Sequence, residues 1–279
     1  MSHMRIEHVI RRLPTVLPFR PRLKILPLDR NGWLDQEDQA PCRSDHSPAE
    51  PPMENGEDRY VRTWREHIPH TGRRPPQKGV ANFRGSTTDA AGREIVHEST
   101  MERATSTIAL ADRRIARLQS QVGPVDHLDG DGKAKHPVFD FLAEDETGRT
   151  LAIAVKPKRK RLSSGIDETI AMVRQQRPDF GDEVRVWTEE QLPRYAEHNA
   201  GLILRSRKLR NDDDVAELKH LTGKLVGVVH IGHLVRHAKC GRARAFAAIV
   251  NLIDDGALVA VSRGRIRPEL TVRLAGGRS

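Results

Sequence analysis

The chain has 279 residues, and 47 Lys+Arg against 38 Asp+Glu leave a net charge of +9. That length suits one large or two small domains, and the basic excess favours an anionic partner, nucleic acid first. Aromatics at 4% argue against a base-stacking platform for single strands. Two cysteines, Cys42 and Cys240, exclude a disulfide framework and suit a reducing cytoplasm, and no apolar run or leader-like start predicts a membrane segment.

Residues 1–90 hold eleven of the 17 prolines. Stretches such as SDHSPAEPPMENGED and HTGRRPPQKG cannot build a packed face, so this basic arm is expected to be mostly disordered or extended. Two pieces could still order locally, RLKILPL as an edge strand and RYVRTWREHI as a helical turn. Regular structure is expected from about Arg93.

REIVHES is a short strand candidate. STMERATSTIALADRRI sets Met101, Ile108, Ala109, Ala111 and Ile115 on a helical stripe. IARLQSQ and VGPVDHLD suggest one or two strands, and DGDGK a turn. VFDFLA and LAIAVK are strands joined by EDETGRT, a hairpin loop with Gly148. GIDETIAMVRQQRP reads as a helix that buries Ile166, Ile170 and Val173 and stops before Pro178. EVRVWT is a further strand. The order predicts an α/β core over residues 91–190.

From about 195 the pattern turns helical, with helices in DDDVAELKHLTG, VVHIGHLVRHA and GRARAFAAIVNLIDDGAL. Two short strands around SRGRIRPE close the chain. Three helices and a basic β-ribbon over residues 195–279 are the order of a winged-helix-like α+β domain. The helix before the ribbon would then meet the major groove, and Arg242, Arg244, Arg263, Arg265 and Arg267 would meet phosphates. A small helical domain with a solvated basic surface fits these residues equally well. His230, His233, His237 and Cys240 share one helix face, but four ligands on one helix cannot readily surround a tetrahedral zinc ion.

The hairpin carries the candidate chemistry. Alternation puts Phe139, Phe141 and Ala143 on one face, Leu151, Ile153 and Val155 on the matching face, and Asp140 near Lys156 on the outer side with Ala152 and Ala154. A carboxylate that holds Mg²⁺ and a lysine that orients water suit phosphodiester cleavage. A salt-bridged surface hairpin uses the same residues. HESTMER offers Glu98 and Glu102, although Ser99-x-x-Glu102 is also a capping box. The run Lys158, Arg159, Lys160 and Arg161 is a solvated turn or a phosphate-binding run beside the site.

Taken together, ESTMER, LQSQ, HPVFDFL and GRTLAIAVKP resemble the core of TnsA-type endonucleases, the strand-cleaving subunits of heteromeric transposases. The resemblance covers about residues 80–190. It implies a restriction-endonuclease-like core, a central mixed sheet flanked by helices, with Glu102, Asp140 and Lys156 catalytic. It further implies Mg²⁺, with Mn²⁺ as the alternative ion, held by Glu102 and Asp140; the backbone carbonyl of Ala154, an oxygen ligand in its own right, could serve as a third. The implied function is a Mg²⁺-dependent cut in double-stranded DNA at transposon ends. It would be made in the cytoplasm, on the nucleoid, with a DDE-type transposase and an ATPase regulator as partners. Ala154 stands where the family has Gln or Glu, Phe139 precedes Asp140 in place of Pro, and Val122 follows Gln121 in place of Pro. Glu144 has the strand parity to substitute for the missing side chain. The alternatives are a catalytically impaired nuclease-fold adaptor that binds DNA, and a winged-helix regulator.

Overall fold

The computed structural model describes residues 67–73 and 84–276. The strand candidate RLKILPL and all but the end of RYVRTWREHI lie outside the described residues. Regular structure starts before Arg93: β1 (Gly85–Thr88) pairs antiparallel with β2 (Glu94–His97), which includes the expected strand. Residues 67–73 run beside them as a strap. Its Ile68 makes an isolated parallel bridge to Arg93, donating to the Gly92 carbonyl and accepting from the Glu94 amide.

Helix α1 (Thr100–Ala111) starts where the capping box predicts it, with Ser99 Oγ accepting from the Glu102 amide. Its stripe buries Ile108, Ala109 and Ala111, with Met101 packed at the margin. Then come β3 (Ile115–Val122), the small antiparallel pair β4 (His127–Leu128) and β5 (Ala134–Lys135), and the long strands β6 (Phe139–Asp145) and β7 (Thr150–Val155). The β6–β7 hairpin pairs Phe141 with Ile153 and Ala143 with Leu151. In its loop, Asp145 Oδ1 accepts the amides of Thr147 and Arg149, and Gly148 takes φ +81°, a conformation glycine adopts without a Cβ penalty.

A short turn of helix α2 (Lys158–Arg161), helix α3 (Ile166–Gln176) and strand β8 (Glu183–Trp187) complete this part. The sheet order is β3-β6-β7-β8, antiparallel except for the parallel β7–β8 pair, so the sheet is mixed as expected. Its two faces are both covered. Phe141, Ala143, Leu151, Ile153 and Val155 pack with α1 in one apolar cluster, while Ala152, Ala154 and Val184 pack with Ile170 and Val173 of α3 in a second. Each fully buried Leu, Ile or Phe contributes about 1.5–3 kcal/mol, so this sheet is a core element rather than a surface hairpin.

Two expectations change here. Phe139 leaves the face of Phe141 and joins the second cluster, its ring 4.9 Å from that of Phe180. The supposed outer side with Ala152 and Ala154 is a second buried face, and Ala154 is only 3% exposed.

Helix α4 (Arg194–Lys208) is the longest described, and its sequence, RYAEHNAGLILRSRK, is polar overall although one side is buried. Its buried positions are mostly small or polar, Ala196, Asn199, Ala200 and Ser206, with Ile203 the one large apolar residue among them. After it come α5 (Asp212–Thr222), β9 (Val229–His230), α6 (Ile231–His237), α7 (Arg242–Asp254), β10 (Leu258–Ala260) and β11 (Thr271–Leu274). The three strands form an antiparallel sheet in the order β10-β11-β9. The first apolar cluster continues through α4 into this sheet, from Ile95 to Val272, across the expected boundary near residue 190. Arg207 of α4 ties the parts by donating to the carbonyls of Leu110 and Ala111 at the end of α1 and to both oxygens of Asp254 on α7. No helix among the described residues is long and apolar enough to cross a membrane.

Candidate active site

The site forms where β6 and β7 part. Their pairing runs from Glu144/Thr150 to Phe141/Ile153 and stops. One residue further on, Asp140 takes over the ladder's role: its Oδ2 accepts the Val155 amide at 2.6 Å.

Asp140 is half-buried, and burial pushes its carboxyl up from 3.8 to about 6. The Val155 hydrogen bond pulls it down, the negative charges of Glu102 and Glu98 push it up, and the Lys156 ammonium opposes them. These groups therefore lie within electrostatic reach of one another. The Lys156 ammonium acts on Asp140, but the face that hairpin parity assigns to both, that of Ala152 and Ala154, is buried.

Glu102 is buried and serves the cap predicted for it. Its Oε2 accepts the Glu98 amide at 2.7 Å, and its Oε1 accepts the Ser99 hydroxyl at 2.8 Å. Gln121 Nε2 is the carboxylate's third donor, to Oε2 at 3.4 Å. A carboxylate offers about four lone-pair sites, so capping and ligation are compatible. Glu98 is held by Arg73, whose guanidinium donates to Oε1 at 2.8 Å.

Ala154 does not take the place expected of it. A trans peptide sets its C=O opposite its N–H, and the Val155 amide points at Asp140. The Ala154 carbonyl therefore faces β8, in keeping with the adjoining Lys156 amide donating to the Trp187 carbonyl at 3.0 Å. The carbonyl on the Asp140 side is that of Val155, because a strand residue's own N–H and C=O point the same way. Glu144 does not substitute. Four residues along a strand is about 13 Å, and Glu144 lines a separate pocket with Asp112 and Arg114 at the loop end.

The oxygens on the Asp140 side are thus its own carboxylate and the Val155 carbonyl, with Glu102 within electrostatic reach; oxygens of this kind are the type that Mg²⁺ or Mn²⁺ would take. Among the described residues no three His, Cys, Asp or Glu side chains are grouped as a ready-made metal site, so water would complete the coordination. His230, His233 and His237 do not converge: His230 Nδ1 meets the Glu269 carbonyl, and His237 stacks on His233 with ring centroids 6.2 Å apart.

The basic residues divide into committed and free-standing ones. Lys158 pairs with Glu190 and Arg161 with Asp167, while Arg159 and Lys160 are exposed on α2. Arg244 is bound through two nitrogens to the buried Asp214, at 2.7 and 2.8 Å, and so ties α7 to α5. Arg242 is exposed in the first turn of α7, the helix's most open part, since Ala245 and the run Ala248–Leu252 are buried. Arg263, Arg265 and Arg267 are exposed on the ribbon between β10 and β11, with Arg267 near Glu269 at 3.4 Å. The ribbon is anchored by Ile266, which is 2% exposed, and by the buried Asn199. Asn199 accepts the Ile266 amide at 2.8 Å and donates to the Gly264 carbonyl at 2.9 Å.

Arg73, the Val155 carbonyl and Asn199 were not singled out from sequence. Nothing local marks Arg73, which lies in the polar stretch HTGRRPPQ. The Val155 carbonyl follows only once the direction of one amide is known. No protein-family model matches this chain, and no curated protein matches it.

Proposed function

We propose that the chain is a metal-dependent DNA endonuclease subunit, similar to TnsA-type enzymes, that cuts at transposon ends together with a separate transposase. The observation that carries this reading is Asp140, a half-buried carboxyl at the parting of two core strands, raised to about 6 with Glu102, Glu98 and Lys156 acting on it. Desolvation combined with charged neighbours is the environment in which acids are tuned for chemistry or for binding a cation. Mg²⁺, when bound, would stabilise negative charge on the phosphate oxygens. Asp140, Glu102 and the Val155 carbonyl would hold it, and the Lys156 ammonium would orient the attacking water and add positive charge beside the phosphate.

The C-terminal order α5-β9-α6-α7-β10-β11, with strand order β9-β11-β10, is compatible with a winged helix and is what favours that reading. It supports reading the exposed Arg242 and the ribbon arginines Arg263, Arg265 and Arg267 as phosphate contacts. Arg159 and Lys160, directly after Lys156, suit the backbone near the cut.

A second reading is a nuclease-fold adaptor that binds DNA without cutting. One observation favours it: Ala154 lacks a ligand side chain, and its carbonyl is turned toward β8. A nicking assay on transposon-end DNA with the partner transposase and Mg²⁺ or Mn²⁺ separates the two. Cutting that disappears in Asp140→Ala and in Lys156→Ala supports the endonuclease. DNA binding without cutting in either metal supports the adaptor. Binding retained in full by residues 195–279 alone would point to a regulator that uses only the C-terminal part.

A further inference from the structure

The strap of residues 67–73 grips Gln121 on two sides. The Arg73 amide donates to the Gln121 carbonyl at 3.3 Å, and the Arg73 guanidinium donates to Gln121 Oε1 at 3.3 Å as well as to Glu98. Gly72 passes so close that a Cβ on it would lie 2.6 Å from the Gln121 carbonyl oxygen, so the approach depends on glycine there. Gln121 is itself unusual. It is 3% exposed, and among the described residues it is the one non-glycine residue with positive φ, +52°. Such left-handed backbone is uncommon outside Gly, Asn and Asp, and it persists where the surroundings over-determine it, often at functional sites.

Its amide has only one workable orientation. Arginine can only donate, so the atom facing Arg73 is Oε1, and Nε2 is thereby turned to Glu102 Oε2 at 3.4 Å. Reversed, the amide would set an oxygen against a carboxylate and an NH₂ against a guanidinium, two repulsive contacts. We infer that Gln121 is a positioning residue that fixes the Glu102 carboxylate beside Asp140, and that Arg73 locks the Gln121 amide in the orientation that does so. The inference rests on Glu102 being an acid of the site proposed above. Partners of this kind, which orient a ligating group through its free lone pairs, typically change metal affinity 10–100-fold when removed.

The test uses the full-length protein and two readouts, with thermal stability as a control. The first is hydrogen exchange of the Gln121 side-chain amide, followed by NMR without metal. Arg73→Ala is expected to speed it at least about tenfold, and Arg73→Lys, which keeps a donor, to restore part of the protection. The second is Mn²⁺ affinity. Gln121→Asn tolerates left-handed backbone but is one methylene too short to reach, and it is expected to weaken Mn²⁺ binding about tenfold with little change in Tm. Unchanged amide exchange in Arg73→Ala, or wild-type Mn²⁺ affinity in Gln121→Asn, overturns the inference. If the wild-type protein itself binds no Mn²⁺, the metal-dependent reading falls, and the positioning inference is then decided by the amide exchange alone.

Discussion

Asp140 Oδ2 accepts the Val155 amide at 2.6 Å, so a side chain takes up a strand's ladder hydrogen bond at the point where β6 leaves β7. This one contact fixes the site's geometry. It anchors the carboxylate, turns the Val155 carbonyl toward it and the Ala154 carbonyl away, and leaves Lys156 just beyond the strand end.

The raised Asp140 carboxyl predicts a stability cost. Its folded value of about 6 exceeds the ordinary 3.8, so between these values the unfolded chain has lost a proton that the folded chain keeps. Stability contributed by the protonated group is full below 3.8 and lost as pH rises through about 6. Asn at 140 keeps an acceptor for Val155 and carries no charge. Asp140→Asn is therefore expected to be more stable than wild type at pH 8, by up to about 3 kcal/mol, with the gap closing toward pH 4. Urea unfolding at the two pH values checks this, and equal stability at pH 8 would refute it.

Cutting should need the ionised form of Asp140. The rate is expected to rise with pH through a limb near 6. A cation favours the charged carboxylate, so the limb should move to lower pH as Mg²⁺ is raised. A pH–rate series at two Mg²⁺ concentrations measures it, and a limb that ignores Mg²⁺ would disconnect Asp140 from the metal.

Asp254 predicts the opposite stability profile. Burial alone would raise its carboxyl, but hydrogen bonds and charge from Arg207 and Arg113 outweigh burial and hold it below its ordinary value. Its contribution is full above the ordinary value of 3.8 and lost as pH falls through the lower folded one. Asp254→Asn is expected to cost about 2 kcal/mol at pH 7, less than a fully buried pair because both arginines are partly exposed. The difference should fade at acid pH. Denaturant midpoints across pH test it, and a constant offset would contradict it.

The C-terminal arginines should separate by role. Replacing Arg263, Arg265 and Arg267 together by Ala is expected to lower the salt slope of DNA binding by about 3 and leave Tm nearly unchanged. Arg244→Ala should instead lower Tm, because it leaves the buried Asp214 without its partner. Fluorescence anisotropy at several salt concentrations, with melting curves, distinguishes them. A stable Arg244→Ala with a reduced salt slope would move that residue to the DNA contacts.

Much of the architecture was legible from local pattern. The α1 cap, the β6–β7 hairpin with its Gly148 loop, α3 ending before Pro178 and the final ribbon each depend on neighbours a few residues apart, which a sequence displays directly. Helix α4 is less legible because, apart from Ile203, its buried side is made of Ala, Asn and Ser, which carry little hydropathy signal. Hairpin parity sets Asp140 and Lys156 on an outer face, and that face, with Ala152 and Ala154, is a buried one. It also misses Phe139, which packs against Phe180 in the second cluster rather than with Phe141.

The sequence alone determined which residue types could do chemistry and on which elements they lie, since alternation, capping and turn formation are short-range effects. Only the tertiary structure decided how they meet. Arg73 reaches Glu98 and Gln121, Gln121 reaches Glu102, and Arg207 reaches Leu110 and Asp254 across separations of 19 to 97 residues. Such contacts depend on how the sheet, strap and helices pack, and no local periodicity records them. The direction of a single amide, that of Val155, is likewise a product of packing, and it decides which carbonyl stands beside Asp140.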